Sequence, residues 1–414
     1  MRVRRFLLAS SLGLLGTAYA TPMTVRSAPV TLPVAKRVNT TGTLNLVAHD
    51  RARVAGLRAR STGGALQSDS IVGSAPSTNQ AVDYVASIEI GNPPTTYSLL
   101  VDTASSNTWV GAMQPYVQTA TSVQTRDSVH VTIGADESMS GIEFNDQVSI
   151  GNGDGLVIIG QSIGAATDTT GFDDSDGILG LGPTSLTIGT LSPDTTQSVP
   201  TVVDSLFQQA VIQQDLVAIS FEPTNSVGNA NGELTFGGTD SSKFIGSIDF
   251  TPITTTSPSS NFWGINQQIR YGTNTNILSE TAGIIDTGTT LMQIATDAFQ
   301  RYQTATGAVL DDNTGLLSLT LDQFSSLQSL SYVIGGVTFE FTANAQIWPR
   351  ALNDAIGGDD QHVFLVVSDI GSNSGSGLDF INGMTWIERF YVVLDTGNQR
   401  VGIANTPFTQ AGTN

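Results

Sequence analysis

Short alternations of apolar and polar residues recur along most of this chain. The segment 81–90 alternates in this way and then breaks at Gly91-Asn92-Pro93-Pro94, a strong turn signal. Comparable runs lie at 129–133, 156–159, 217–221 and 333–341. Runs of this length, bounded by turn residues, predict β-strands joined by hairpins. Helical patterns are confined to 201–209, 295–302 and 322–327. The predicted fold class is therefore all-β, meaning mostly β with a few short helices.

One strand-and-turn pattern occurs twice. An apolar strand ends in an Asp-Thr-small-Ser/Thr turn at 97–106 and again at 282–290. Downstream of each copy lies an apolar-apolar-x-Gly element, at 177–180 and at 380–383. A repeat on this scale predicts two related β-lobes. We place the N-terminal lobe at 76–245 and the C-terminal lobe at 246–414.

The first 20 residues have the features of a secretory signal. Three arginines precede an apolar stretch at 6–15, and Ala18-Tyr19-Ala20 matches a signal-peptidase site. The apolar stretch is too short to span a membrane. We expect residues 1–20 to be a signal peptide and the protein to be secreted to the extracellular space. A retained N-terminal anchor is the alternative.

Charge divides the rest of the chain. Of the 17 Lys and Arg, seven lie at 21–75 and seven after residue 75, whereas only two of the 36 Asp and Glu precede residue 76. Residues 21–75, called here the basic segment, thus carry a net charge of +5, and the body carries −27. Opposite charges predict that the basic segment docks on the body near neutral pH and loosens in acid. We interpret it as a removable pro-segment; a disordered basic linker is the alternative.

Composition also excludes several partners and chemistries. The acidic body argues against nucleic acids and anionic membranes as partners. The chain has no Cys, so thiol catalysis is excluded and stability must come from a core. After residue 75 the only histidines are His130 and His362, which offer no clustered zinc ligands and no evident triad. No phosphate-binding or dinucleotide-binding loop follows a strand. We expect neither metal nor cofactor.

The repeated turns supply the remaining candidate chemistry. They present Asp102 and Asp286 at the ends of matching strands. Two adjoining carboxylates cannot both ionise easily, so one can hold a proton while the other activates a water. These two residues are the predicted catalytic pair. A third Asp-Thr-Gly, at Asp395, is followed by only 17 residues after Gly397, and we interpret it as a hairpin turn.

Residues beside the pair have predicted supporting roles. Ser105 and Thr289 are placed to hydrogen-bond the two carboxylates. Thr103 and Thr287 are placed to cross-link the two turns, and Gly288 completes the second Asp-Thr-Gly triplet.

These segments together resemble the pepsin family of aspartic proteases, and within it the polyporopepsin-type secreted fungal enzymes. The resemblance runs from residue 76 nearly to the end and rests on segments 97–103, 177–180, 232–238, 283–290, 378–383 and 389–391. It implies a bilobal pepsin-like fold with a deep cleft, and an aspartic endopeptidase that acts on proteins or peptides at acid pH as a monomer without a metal. It also implies a zymogen in which the basic segment inhibits its own enzyme and a lysine reaches the catalytic pair. Lys36 is the candidate lysine.

The first turn departs from the family pattern. Ala104 stands where the family has a glycine, which lets two backbones approach closely. A methyl group there is expected to strain the turn, and a small displacement at a reacting centre can cost about 100-fold in rate. The opposing interpretation is that a slight shift absorbs the methyl group.

The flap that covers the cleft in this family also departs from the pattern. Ile133 stands at the tyrosine position before Gly134, one residue is inserted, and Asp136 and Glu137 lie at the tip. Trp109, which pairs with that tyrosine in the family, is retained. An isoleucine can still exclude water but donates no hydrogen bond, and the two acids are expected to repel an ionised catalytic pair.

Two functions of different class follow from these features. The first is an active secreted acid endopeptidase, favoured by both aspartates and the basic segment. The second is a catalytically silent, secreted peptide-binding protein, favoured by Ala104 and the altered flap. A two-lobed adhesion or sugar-binding protein would share the composition but leaves the duplicated turns unexplained. We place cleavage of the basic segment near residues 70–76.

Overall fold

The computed structural model describes residues 28–38, 45–61, 82–135, 137–151, 155–226 and 230–414. The predicted signal peptide, the predicted cleavage region and Asp136 lie outside these residues.

Strands dominate the described residues, which confirms the mostly β class. The first twelve are β1 Val30–Val38, β2 Val82–Ile90, β3 Thr95–Asp102, β4 Trp109–Val110, β5 Val123–Thr132, β6 Ser138–Ile150, β7 Leu156–Thr170, β8 Gly177–Gly180, β9 Leu191–Ser192, β10 Leu216–Phe221, β11 Ala230–Phe236 and β12 Ile245–Pro252. The remainder are β13 Gly264–Tyr271, β14 Thr275–Ile285, β15 Met292–Ile294, β16 Val309–Leu310, β17 Leu317–Thr320, β18 Leu330–Ile334, β19 Val337–Phe341, β20 His362–Phe364, β21 Val367–Asp369, β22 Phe380–Asn382, β23 Phe390–Asp395 and β24 Arg400–Asn405.

Helices are short except for one in the basic segment. The α-helices are α1 Leu46–Ser61, α2 Val202–Gln208, α3 Thr296–Thr306, α4 Leu321–Phe324 and α5 Met384–Ile387, and the 3-10 helices are Thr184–Thr187, Ser259–Asn261 and Arg350–Ile356. The three predicted helices are present as α2, α3 and α4. Local chemistry explains the ends of two of them: Thr201 and Asp204 form a capping box at the start of α2, and Gly307 ends α3 with a φ of 69°.

The strands form three sheets. The largest has fourteen strands in the order β12-β24-β23-β10-β11-β1-β2-β3-β8-β4-β7-β6-β5-β9. A second has the order β19-β18-β13-β14-β22-β15-β21, and a third the order β16-β17-β20. Because β23 and β24 pair with β10 and β12, strands from the C-terminal end share a sheet with the first Asp turn. The division into lobes at 245/246 stays a prediction.

The basic segment is part of this architecture. β1 lies between β11 and β2 and pairs with both in antiparallel fashion, with Lys36 opposite Tyr84. Leu32 and Val34 from β1 are buried in the main core. The sequence patterns predicted neither β1 nor α1, although they identified the segment by its charge.

The two Asp turns occupy equivalent positions. β3 runs parallel to β8, with Asp102 opposite Gly180. β14 runs parallel to β22, with Ile285 opposite Asn382. The apolar-apolar-x-Gly elements found in the sequence are therefore the strands beside the two Asp strands, so the repeat positions both carboxylates in the same way.

Candidate active site

The two Asp turns are cross-linked by a symmetric set of hydrogen bonds. The Thr103 backbone N–H donates to Thr287 Oγ1 at 3.1 Å, and the Thr287 N–H donates to Thr103 Oγ1 at 3.0 Å. Each hydroxyl also donates to the opposite strand, Thr103 to the Ile285 carbonyl at 3.3 Å and Thr287 to the Val101 carbonyl at 2.7 Å. All four of these bonds are buried, so the two threonines hold the turns against each other.

Each carboxylate is held by the same pair of donors. Ser105 Oγ donates to Asp102 Oδ2 at 2.5 Å, and Thr289 Oγ1 donates to Asp286 Oδ2 at 2.6 Å. The inner oxygens each accept a backbone N–H. The Ala104 N–H donates to Asp102 Oδ1 at 2.9 Å, and the Gly288 N–H donates to Asp286 Oδ1 at 3.1 Å. The side chains of both aspartates are almost completely buried. The site is thus a pair of oriented carboxylates in a water-poor setting.

An arginine from α1 bridges the pair. One terminal nitrogen of Arg53 lies 2.6 Å from Asp102 Oδ1 and 2.8 Å from Asp286 Oδ1, and Arg53 Nε lies 2.7 Å from Asp286 Oδ2. The guanidinium is itself only 4% exposed, so the three contacts are shielded from water. Arg53 therefore occupies the position between the carboxylates where a shared water would stand.

The bridge changes the protonation of Asp102. Burial alone would raise the pKa of this carboxyl, but the charge of Arg53 and the hydrogen bond from Ser105 outweigh burial and lower the pKa below its ordinary value. Burial alone would lower the pKa of Arg53, but the charges of Asp102 and Asp286 and the hydrogen bond to Asp286 raise it. The carboxylate of Asp102 and the guanidinium of Arg53 are consequently stabilised in their charged forms.

The prediction that Lys36 reaches the two aspartates is wrong. Lys36 Nζ contacts Glu388 Oε1 at 2.7 Å and lies over the Trp348 ring, so it does not reach Asp102 or Asp286. A strand residue in the middle of a sheet is fixed by its register, which directs Lys36 to Glu388 instead. The cation at the pair comes from α1, later in the basic segment.

The turn at Ala104 has the same hydrogen-bond geometry as the turn at Gly288, although its methyl group was expected to strain it. The Ala104 N–H donates to Asp102, just as the Gly288 N–H donates to Asp286. The φ of Ala104 is not positive, so the backbone needs no glycine here. Its methyl group is fully buried in a cluster with Val54 and Leu57 of α1. A Cβ on Gly288 would instead lie 2.5 Å from Arg53 Cζ. The Arg53 guanidinium therefore packs directly against Gly288. The turn at Ala104, by contrast, has room for a methyl group.

The flap packs against α1. Ile133 is buried in a cluster with Trp109, whose indole N–H has no hydrogen-bond partner in the described part of the chain. The backbone turns back through a hydrogen bond from the Ile133 N–H to the Glu137 carbonyl at 2.8 Å, and the Ala135 N–H donates to the Ala52 carbonyl of α1 at 3.0 Å. The flap and α1 therefore close over the pair together.

Two further residues of α1 contact the flap and the segment after the second Asp turn. His49 Nε2 lies 3.4 Å from Glu137 Oε1 of the flap, and its Nδ1 lies 3.3 Å from Asp50 Oδ1. The Asp50 carboxylate accepts hydrogen bonds from the N–H groups of Thr290 and Leu291, at 3.1 and 2.8 Å. Burial would lower the pKa of His49, but hydrogen bonds to Asp50 and Glu137 and their charges hold it well above its ordinary value. Glu137 therefore binds a cation of α1, which was not expected of a residue predicted to repel the pair.

The other candidates lie away from the pair. Asp395 ends β23, where it bonds to Arg400 Nε at 2.7 Å and to Asn398 in the hairpin turn, as the sequence predicted. His130 is exposed and contacts Ser140. His362 is half-buried and contacts Asp359. Among the residues that the structure describes, no group of three or more His, Asp or Glu could hold a metal ion.

Sequence reasoning missed the contacts that α1 makes with the cleft. His49, Arg53, Gly56 and Arg60 follow a helical spacing, and each contacts the flap or the aspartates or lies against them. That spacing was the available signal, since positions four, three and four residues apart share one helix face.

Comparison with known proteins places this chain in a family. A model described as eukaryotic aspartyl protease matches residues 83–406. Polyporopepsin from Irpex lacteus is 62% identical over 342 residues, which cover 83% of this chain and 99% of that protein. Cathepsin E from Oryctolagus cuniculus is 30% identical over 343 residues, covering 78% of this chain and 80% of its own. The crystal structure of the aspartic proteinase from Irpex lacteus matches with a TM-score of 0.80 and 53% identity, over 94% of this chain and 100% of that one.

Proposed function

Because this chain belongs to the eukaryotic aspartyl protease family and is a pepsin-like aspartic endopeptidase, we propose that it is made as a secreted, inactive precursor and that its processed form hydrolyses proteins at acid pH. The observation that carries the proposal is the bridge from Arg53 to both aspartates. A guanidinium in that position excludes the water that the reaction needs. The basic segment is then the enzyme's own inhibitor, and its removal produces the active form.

The hydrolytic step uses the pair as base and acid. With Arg53 gone, the ionised carboxylate of Asp102 or Asp286 takes a proton from a water between them, and the water oxygen bonds to the substrate carbonyl carbon. The protonated carboxyl of the other gives its proton to the carbonyl oxygen. The carboxyl that took the water proton then gives it to the amide nitrogen, while the other carboxylate takes a proton back from a hydroxyl of the tetrahedral intermediate. The C–N bond breaks, which leaves a carboxyl end and an amine and restores both aspartates. Ser105 and Thr289 hold the outer oxygens in place throughout.

Acid releases the segment because it removes the charges that hold it. The contacts of Arg53 and His49 depend on ionised carboxylates, and the body as a whole carries 34 Asp and Glu. As these protonate, the attraction for the basic segment falls. Near neutral pH the same contacts keep the precursor closed.

Secretion and solution state complete the proposal. The signal-like features of residues 1–20 support export, and no described helix is long and apolar enough to cross a membrane. We propose a monomer that takes protein or peptide substrates and no nucleic acid. Ala104 and the altered flap raised the alternative of a silent peptide binder. The intact hydrogen bonds of both turns give that alternative no support.

The test is acid activation of the precursor with three matched variants. Asp102→Asn and Asp286→Asn should each abolish digestion of an unfolded protein at about pH 3, and a pepstatin-type inhibitor should abolish it in the parent. Asp395→Asn is the control, and its activity should stay near the parent level per folded molecule, judged by circular dichroism. If Asp395→Asn is as inactive as Asp286→Asn while folded, the assignment of the pair fails. If the parent itself digests nothing after losing its basic segment, the silent binder is the better account.

A further inference from the structure

A buried amide pair lies behind the second aspartate. Gln267 Nε2 donates to Asn382 Oδ1 at 3.1 Å, and Asn382 Nδ2 donates to Gln267 Oε1 at 2.9 Å. Both residues are completely buried. The pair joins β13 to β22, the strands on either side of β14, and Asp286 directly follows β14.

The internal repeat shows what the pair replaces. The position five residues before each aspartate pairs with Ile88 in the first copy and with Gln267 in the second. The position immediately before each aspartate lies opposite Leu179 in the first copy and opposite Asn382 in the second. Ile88 and Leu179 are both fully buried in the main apolar core. The second copy therefore has two amides where the first has two apolar side chains, an exchange that burial by itself does not favour.

The register of the Asp286 strand gives a reason for the exchange. β2 and β3 pair without a register shift, whereas the pairing of β13 with β14 shifts immediately after Gln267. Apolar side chains can pack in more than one register, but two reciprocal hydrogen bonds form in only one. The amide pair therefore fixes β13 relative to β22 at the point where the ladder between β13 and β14 becomes irregular.

β22 transmits this restraint to the second Asp turn. The Asn382 carbonyl accepts the Asp286 N–H at 3.2 Å, and two residues later the Met384 N–H donates to the Thr289 carbonyl at 2.7 Å. Thr289 is also the residue whose hydroxyl holds Asp286 Oδ2. A Cβ at Gly383 would lie 2.6 Å from the same Thr289 carbonyl oxygen, so the backbone after Asn382 packs directly against the turn. A displacement of Asn382 therefore moves both Asp286 and its hydroxyl donor.

We propose that Gln267 and Asn382 are positioning residues, and that their amide pair holds Asp286 where it can share a water with Asp102. Both residues are fully buried, so they act through β22 and not by touching a substrate. The inference rests on the proposed function, because it concerns turnover by the released enzyme. The directional hydrogen bonds, and not the burial, are what the second Asp turn requires.

The experiment replaces the amide pair by an apolar pair of similar size. The double mutant Gln267→Met/Asn382→Leu is released in acid and given a peptide substrate. Its kcat should fall about tenfold, because a displaced carboxylate slows the chemical step, whereas KM should stay within about twofold of the parent. Its melting temperature should equal or exceed that of the parent, because both partners are replaced and no polar group is left unpaired. If the double mutant does not fold, Gln267→Met alone, which also breaks the pair, is measured for the same changes in kcat and KM.

Two further variants separate positioning from stability. Gln267→Glu keeps the pair, because at about pH 3 the new carboxyl is uncharged and can both donate to Asn382 and accept from it. Its kcat should stay within about threefold of the parent. Gln346→Met is the matched control, since it removes another fully buried amide, whose partners are the Tyr302 hydroxyl and backbone carbonyls. It should lower the melting temperature and leave kcat unchanged.

Inhibitor binding separates the inference from the proposed function. Cleavage by the parent tests the proposed function alone. Two peptides that cannot be cleaved, one with a hydroxyl in place of the scissile carbonyl and one without it, are compared by their Kd values, which can be measured even in a protein that cleaves nothing. The gain in affinity from the hydroxyl depends on both carboxylates reaching it, and should fall about tenfold in the double mutant. A double mutant that keeps the parent's kcat, or the parent's gain from the hydroxyl, overturns the inference. So does a Gln267→Glu enzyme that is as slow as the double mutant.

Discussion

Lys36 and Glu388 are 352 residues apart in sequence, yet Lys36 Nζ lies 2.7 Å from Glu388 Oε1 and the two side chains are only 1% and 3% exposed. The Tyr84 hydroxyl donates to the same carboxylate oxygen at 3.1 Å. The pair ties β1 of the basic segment to the end of α5. No Lys or Arg occurs between residues 62 and 81, so the chain that follows α1 offers no side-chain cation to replace Lys36.

This pair predicts opposite effects of one substitution before and after activation. In the precursor, Glu388→Gln leaves Lys36 buried without its counter-charge and should lower the free energy of unfolding at neutral pH by about 3 kcal/mol. In the released enzyme the same change removes a buried carboxylate that has lost its lysine, and should stabilise the protein. Urea unfolding of both forms measures the two signs. Arg126→Gln is the control, because it breaks an exposed pair with Asp194 and should cost less than about 1 kcal/mol. Equal signs in both forms would refute the prediction.

Arg53 should set the pH at which the precursor opens. The pKa of Asp102 is lowered while Arg53 is bound, so its contribution to docking is present above the ordinary carboxyl pKa and is lost as pH falls through the lowered value. Arg53→Gln removes that contribution, and release should begin at a higher pH than in the parent. Mass spectrometry of timed samples across the pH range measures it. Arg51→Gln, a change at a half-exposed arginine of the same helix, should leave the release pH unchanged. Identical profiles for Arg53→Gln and the parent would show that the bridge does not hold the segment.

Gly56 should be required for α1 to dock against the flap. A Cβ at this position would lie 2.6 Å from the Ile133 carbonyl oxygen and 2.8 Å from Gly134 Cα, both backbone atoms. Gly56→Ala favours an isolated helix by up to about 1 kcal/mol, yet it should loosen the docked one. The expected result is faster release of the basic segment in acid. Gel electrophoresis of timed samples measures the release rate. Ala48→Gly, an exposed change on α1 that only lowers helix propensity, separates the two effects. Slower release in Gly56→Ala would mean that propensity outweighs the close contact.

Ala104→Gly should act on the precursor more than on the chemistry. The Ala104 N–H already bonds to Asp102 at 2.9 Å, so kcat of the released enzyme should change by less than about threefold. The methyl group packs with Val54 and Leu57, and its loss, with the added backbone freedom of glycine, should destabilise the precursor by about 1 kcal/mol. Steady-state kinetics measures kcat of the released enzyme, and thermal unfolding measures the stability of the precursor. A kcat that rises tenfold or more would show that the methyl group displaces the turn.

Local patterns were sufficient for the mostly β class and for the two Asp turns, but not for β1 of the basic segment. An apolar run that ends in Asp-Thr-small-Ser/Thr specifies a strand and the turn that follows it, so Asp102 and Asp286 could be found without knowing how the lobes meet. The hydrogen bonds from Ser105 and Thr289 are equally local, each spanning three residues. Asp395 was separated from the pair by the same reasoning, because the strand-and-turn pattern around it predicts a hairpin.

The tertiary structure decided which cation reaches the pair. Charge identified the basic segment as a unit, but its seven cations are equivalent in composition, and Lys36 was chosen wrongly among them. Arg53 contacts Asp102, which is 49 positions away in sequence, and Asp286, which is 233 positions away. The flap acid Glu137 contacts His49, which is also distant in sequence. Such contacts depend on where β1 enters the sheet and on which face α1 turns to the cleft. Those placements are set by the burial of whole elements, since the free energy of a long-range ion pair is realised only after the surrounding chain has excluded water.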